Sequence, residues 1–425
     1  MSAHANRPAL EARQLVAVRS LLSEYNPVNA FYATKLRGLG EVASVEDFCR
    51  RAPFTTKAEL VADQLTSPPF GTNLTFALER YTRFNQTSGT SGTPLRWLDT
   101  DESWAWMLDG WTRVLRACCV TTSDRAFFAF SFGPYLGFWT AFEAATRLGC
   151  LCIPGGGMSS AARLRTIVDN GVTVLCCTPT YALRLGEVAS DDGLDLAQSQ
   201  VRAIIVAGEP GGGIAATRAR LEALWPGARV FDHHGMTEVG PVTYPCSQRT
   251  GVLHVMEDAF VAEIINPSTG QAVSTGERGE LVLTTLGRTG SPLIRYRTGD
   301  LAQVGEAPCV CGSHELALVG GILGRTDDMV LVRGVNVYPA AVEAVVRSFA
   351  EVAEYSVEVT IAHALTELRL RIEPTPSCSD AAELSTAVAD SLRVAFNLRI
   401  PVAAVAPGTL PRFELKAQRW ARVTN

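Results

Sequence analysis

Between residues 126 and 235, short apolar runs alternate with stretches of helical periodicity, and this alternation constrains the fold more than any other feature. The runs fall at 127–130, 150–154, 172–178, 201–207 and 230–233. Runs of this length between amphipathic helices mark strands buried on both faces, because crossover helices cover a parallel sheet above and below. The expectation is an α/β core with a parallel sheet. From 251 to 286 the pattern changes to β-rich stretches separated by turn residues (VLHVMEDAFVAEII, GELVLTTL), which predicts an antiparallel sheet or small barrel alongside. The tail reads as a compact α+β unit, with a helix near 340–349, strands at 355–359 and 367–372, and a helix over 379–396. A chain of 425 residues exceeds what one core usually serves. We therefore divide it into a large domain, 1–326, and a small domain, 327–425, with the boundary near Asp327.

Composition narrows the partners. A net charge of −5 without a basic stripe gives no pull toward nucleic acid or anionic lipid. The first ten residues carry His, Asn, Arg and Pro where an export signal needs an apolar core, and no apolar run reaches membrane-spanning length. The expected setting is cytoplasmic, with small-molecule partners and eleven reduced cysteines.

Four segments carry chemistry. In TSGTSGTP, residues 87–94, glycines alternate with hydroxyls, a pattern that brings backbone amides and hydroxyl donors up to a polyphosphate. No lysine follows Gly92, so this is not the phosphate loop of P-loop hydrolases, and alone it reads equally as a flexible turn. FDHHGMTEVGP, residues 231–241, closes the fifth predicted strand, where open α/β sheets bind ligands. Glu238 there suits magnesium held against phosphates, or is a solvated loop acid. His233 and His234, being neighbours on a strand, point to opposite faces and do not chelate one ion; His234 is placed against a base. IRYRTGDL, residues 294–301, sets Asp300 after a glycine turn, as a ribose-binding carboxylate or an ordinary turn aspartate. PGTLPRFELKAQR, residues 407–419, contains Lys416, which in isolation is a surface lysine.

Taken in order, and with GRTDDMVLVRGVNVYP at 324–339, these segments resemble adenylate-forming ligases over nearly the whole chain. PFTTKAEL (53–60) and TVLCCTPTYALRLGEVA (173–189) look like the phenylacetate–coenzyme A ligase branch. The resemblance implies ATP-dependent, magnesium-assisted conversion of an aryl or arylacetic acid to acyl-AMP, then thioester formation with coenzyme A. It implies that Thr87, Ser88, Gly89, Thr90, Ser91, Gly92 and Thr93 cradle phosphates. Gly208, Glu209, Pro210, Asp232 and His234 would line the adenine, with Thr237 and Glu238 at the α-phosphate and magnesium. Asp300 and Arg325 would hold the ribose. Lys416 would supply positive charge in the first step and Asp327 the hinge of a rotating small domain. Phe132, Tyr135, Met236 and Pro241 would make an apolar, aromatic acid pocket. Relatives often pair as homodimers. Thr93 stands where many relatives carry lysine, and His234 replaces the usual tyrosine.

Cys246, His254, Cys309 and Cys311 compose a three-thiol, one-imidazole set suited to structural zinc, with His314 as an alternative fourth ligand; the same thiols also read as free surface groups. Three other functions stay open at this point. They are transfer of the acyl group to a carrier protein or amine, a nucleotide-binding sensor without catalysis, and a zinc-dependent nucleic-acid binder, which the acidic balance disfavours.

Overall fold

The structure is a computed structural model and describes residues 6–25, 28–87, 93–333, 335–362, 365–414 and 416–423. At its centre lies a five-stranded parallel sheet in the order Leu151–Pro154, Arg125–Phe128, Val174–Cys177, Ala203–Val206, Arg229–Asp232. The apolar runs predicted these strands to within two residues at each end. Alternate side chains feed two separate cores. Val174, Cys176, Ala203 and Ile205 join one apolar cluster, and Leu175, Cys177, Ile204 and Val206 join the other. Burial on both faces is why these strands carry no polar alternation.

The helix Asp101–Ala117 shows how local sequence builds the first core. Thr100 caps it by accepting from the Ser103 amide, and Asp101 and Glu102 complement the positive end of its dipole. Trp104, Met107, Leu108, Trp111, Val114 and Leu115 recur at helical spacing and are buried in that core.

The β-rich region is a six-stranded antiparallel sheet, in the order Thr243–Pro245, Val252–Val255, Ala317–Arg325, Tyr296–Val304, Arg278–Thr285, Phe260–Ile265. It reaches well past the 251–286 segment, because Tyr296–Val304 and Ala317–Arg325 insert at its middle. The C-terminal unit has its own apolar cluster, drawn from Val330 onward. Its four-stranded sheet centres on the hairpin Val352–Ala362 and Leu365–Pro374, flanked in parallel by Trp420–Val423 and Val402–Ala404. Both flanking strands escaped the sequence reading, since they are too short for periodicity to register. No helix among the described residues is long and apolar enough to cross a membrane.

One buried contact joins the layers. Arg288 and Asp99, both fully buried, form a bidentate pair with Nε–Oδ1 at 2.7 Å and Nη2–Oδ2 at 2.6 Å. The remaining guanidinium nitrogen, Nη1, donates to the Thr237 carbonyl at 2.6 Å. Removing one partner strands a desolvated charge, so Asp99→Asn is expected to cost about 3–5 kcal/mol in urea unfolding. The apolar pair Asp99→Leu with Arg288→Met should recover most of that stability; a double variant as unstable as the single would place the loss elsewhere.

Candidate active site

The strand Arg229–Asp232 delivers its carboxyl end to a tight hairpin, Gly235–Met236 against Gly240–Pro241, with Thr237 and Glu238 in the turn. His233 and His234 diverge as strand neighbours do. The His233 Nδ1 donates to the Thr243 carbonyl at 2.8 Å and its ring packs on Trp111, centroids 4.3 Å apart. Burial pulls its pKa down to about 4. His234 faces Asp300 instead, Nε2 to Oδ2 3.3 Å, and neither of these buried atoms has a hydrogen-bond partner among the described residues. Burial first, then the nearby charges of His233, Arg325 and Lys416, lower the His234 pKa to about 3, so the ring is neutral.

Asp300 stands directly across the ladder from Arg325, which puts both side chains on one face of the sheet. Their Oδ1 and Nη1 lie 3.2 Å apart. Burial raises the Asp300 pKa to about 7 against the opposing pull of Arg325. Gly299, at φ +76°, makes the turn that allows this approach, since a Cβ there would fall 2.8 Å from Arg325 Nη2. Arg325 also pairs with exposed Asp327, Nε to Oδ1 2.9 Å.

A pocket of about 240 Å³ opens beside these groups, lined by Lys57, Met236, Glu238, Tyr296 and Arg325 among others. Lys57 is a site residue that sequence reasoning passed over. Thr55 bridges to Tyr296, and Thr56 and Glu59 form a capping box that starts the helix Lys57–Thr66. The first helical side chain is thereby aimed at Glu238, Nζ to Oε1 3.4 Å. The signal was present in PFTTKAEL, whose T-x-x-E spacing marks a helix start. Lys416 reaches the crevice from the C-terminal unit. Its Cε is 3.5 Å from where a Cβ on Gly208 would stand, and its charge acts on both His234 and Asp300.

The other expected site residues have varied surroundings. Thr87 is buried and closes the loop between Tyr81–Gln86 and Arg96–Thr100, its hydroxyl accepting from the Leu95 amide at 3.0 Å. Thr93 is exposed, and Ser88, Gly89, Thr90, Ser91 and Gly92 lie outside the described residues. Asp232 is wedged under the Gly211–Gly213 turn: a Cβ on Gly212 would come within 2.5 Å of its Oδ1, and burial raises its pKa to about 7. The Glu209 carboxylate is taken up by two backbone amides, those of Thr180 and Ala417. Pro210 is exposed. Phe132 joins an aromatic cluster with Phe130, Trp139 and Phe142, at centroid distances of 4.3, 4.7 and 5.4 Å. Tyr135 is exposed, while Pro241 is buried against the helix Asp101–Ala117 near Gly110.

Cys246, His254, Cys309 and Cys311 come together, their ligand atoms all within 4.8 Å of one another. Cys246 Sγ and Cys309 Sγ are 3.8 Å apart, and Cys311 Sγ and His254 Nε2 3.3 Å. His314 is not part of this group, and all eleven cysteines are free thiols.

Residues 84–287 match the AMP-binding enzyme family and residues 334–421 the AMP-binding enzyme C-terminal domain. A phenylacetate–coenzyme A ligase of Thermus thermophilus is 33% identical over 329 residues, covering 76% of this chain and 71% of the relative. The chain belongs to the phenylacetate–coenzyme A ligase family of AMP-binding enzymes. Among solved structures, 2-hydroxyisobutyryl-CoA ligase in its postadenylation state, with R3-HIB-AMP bound, superposes with a TM-score of 0.90 at 26% identity, over 99% of this chain and 91% of that one. The same ligase with 2-HIB-AMP and CoA in its thioesterification state gives 0.71 at 27% identity, with the same coverage. The arrangement of this family member thus resembles that ligase's postadenylation structure more than its thioesterification structure.

The raised pKa of Asp300 has a consequence for stability. A carboxyl that ionises near 4 when unfolded and near 7 when folded stabilises the fold fully below pH 4, and that contribution is lost as pH rises through 7. Asp300→Asn removes the penalty, while Arg325 keeps Asp327. The melting temperature of the variant relative to wild type should therefore climb between pH 5 and pH 8 and level off above. A gap that widens toward acid would show that Arg325, not burial, governs this carboxylate.

Proposed function

We propose that the chain activates an aryl or arylacetic acid of the phenylacetate class with ATP, and passes the acyl group to the thiol of coenzyme A. The observation that carries this reading is the meeting of Glu238, His234, Asp300, Arg325 and Lys416 in one crevice beyond the carboxyl ends of a parallel sheet. The buried, unpartnered Asp300 Oδ2 and His234 Nε2 suit a ligand that offers hydroxyl donors beside a heteroaromatic ring, as a nucleoside does. Asp300 and Arg325 take the ribose, and the neutral His234 ring takes the base.

In the first step a carboxylate oxygen of the acid attacks the α-phosphorus, and the bond to pyrophosphate breaks. Both reactants are anions, so Lys416 contributes by placing positive charge where their approach is otherwise repelled. Lys57 offers a second cation, beside Glu238. Glu238, buried and directed into the pocket, suits magnesium, which would neutralise phosphate charge there. In the second step the coenzyme A sulfur attacks the acyl carbon, the thiol proton leaves, and AMP departs. The C-terminal unit turns about Asp327, withdrawing Lys416 between steps. The aromatic cluster around Phe132, with Met236 at the crevice, favours a flat apolar acid.

Pyrophosphate exchange across aromatic, arylacetic, fatty and short-chain acids tests the reaction and its substrate class together; no exchange with any acid would refute it. Thioester assays with free coenzyme A, a carrier protein and amines then decide the acceptor. Lys416→Ala should slow adenylate formation by about a hundredfold or more, the scale of one well-placed electrostatic donor, and leave thioester formation from a supplied acyl-adenylate nearly intact. Equal damage to both steps would contradict the turning domain.

Structural zinc belongs to the same reading. Zinc–sulfur bonds of ~2.3 Å in a tetrahedron place sulfurs about 3.8 Å apart. Cys246 and Cys309 already stand 3.8 Å apart. Four protein ligands leave no open position, so the ion would pin the 306–314 loop to the strand Val252–Val255 rather than touch substrate. One zinc per chain is expected by elemental analysis. Cys309→Ser should lose it and lower the melting temperature, with little change in adenylation by whatever protein stays folded. Metal-free protein of unchanged stability would exclude the ion.

A further inference from the structure

The loop that carries Lys416 is held in place by a residue expected to line the adenine. We propose that Glu209 is a positioning residue, a latch that keeps this loop in the adenylate-forming arrangement and must let go for thioester formation; the inference rests on the two-step reaction above. Glu209 sits just past the strand Ala203–Val206. Its Oε1 accepts from the Thr180 amide at 2.9 Å, in the first turn of the helix Pro179–Asp191. The unpaired amides and dipole of a helix start favour an anion there, so the carboxylate is fixed from the core side. Its Oε2 accepts from the Ala417 amide at 2.8 Å, one residue beyond Lys416.

Lesser contacts run along the same face. Arg419 Nη1 donates to Thr180 Oγ1 at 3.4 Å, Arg412 Nε pairs with Glu187 Oε2 at 3.1 Å, and Ser160 Oγ donates to Glu414 Oε1 at 3.3 Å. The start of one core helix, its next turns and Ser160 thus form the dock, and Glu209 makes the contact nearest the lysine. Only a group with two acceptor oxygens serves both amides. A glutamine keeps the helix cap through its carbonyl but turns an NH₂ toward the Ala417 N–H. Any arrangement that withdraws Lys416 breaks the Ala417 bond and leaves the Thr180 bond intact, so the latch biases one step against the other.

The test compares Glu209→Gln with wild type in the full-length enzyme. A lost hydrogen bond to a charged acceptor predicts about tenfold slower pyrophosphate exchange with phenylacetate or the best acid of the panel. Thioester formation from chemically supplied acyl-adenylate should be unchanged or faster. Amide exchange at Ala417 should quicken by a similar factor while the parallel strands keep their protection. Glu187→Gln, at a pair whose side chains are 24% and 25% exposed, should shift the same ratio by about twofold and does not touch the helix cap, so it holds even if Glu209→Gln folds poorly. Equal loss of both half-reactions, or unchanged Ala417 exchange in a folded Glu209→Gln protein, would overturn the latch. A wild type inert in pyrophosphate exchange would instead remove the reaction, and Ala417 exchange would still decide the latch.

Discussion

The active crevice depends on a guanidinium that never meets solvent. Arg288 closes two bonds with Asp99 on the strand Arg96–Thr100 and sends a third to the Thr237 carbonyl, with Trp97 packed against its face at 5.3 Å. Such a pair is a poor source of stability, since desolvation consumes much of the Coulomb gain, but its geometry cannot relax without stranding a charge. The turn bearing Thr237 and Glu238 is thereby fixed against both the glycine-loop hairpin and the antiparallel sheet. Among the described residues Glu238 has no close anchor of its own: Lys57 lies 3.4 Å away and the Tyr296 hydroxyl 3.5 Å. Its position comes from the backbone, and the backbone is held by Arg288.

The parallel sheet was legible because burial on both faces leaves an unmistakable trace: four residues such as VLCC or AIIV with no polar interruption. The Asp300–Arg325 pairing was not, since the two lie 25 positions apart on neighbouring antiparallel strands whose register no local pattern fixes. Only the family resemblance joined them. Arg288 left no signal, because a buried arginine and a surface one look alike until the partner strand is known. Glu209 shows the opposite failure. The AGEP segment was noticed, but no local spacing foretold that its carboxylate accepts from the amides of Thr180 and Ala417.

The crevice is charge-paired within itself: Lys57 with Glu238, and Arg325 with Asp300 and Asp327. Under the proposed reaction, this pairing explains how a pocket can await a polyanion without forfeiting the fold. An uncompensated cluster of cations would destabilise the protein and bind any phosphate, whereas paired groups change partners as the ligand enters. Under that reaction Lys57, whose side chain is 38% exposed, would exchange Glu238 for a phosphate oxygen, and the exchange would free the Glu238 carboxylate for a divalent ion. Asp300 meets the same need differently. With its pKa raised by burial to about 7, it is partly protonated near neutral pH, which spares the fold a buried charge, and a ribose hydroxyl would favour its ionised form by donating to it. Nucleotide binding of this kind would release protons as it fills the crevice, coupling affinity to pH through a group that takes no part in the bond-making steps.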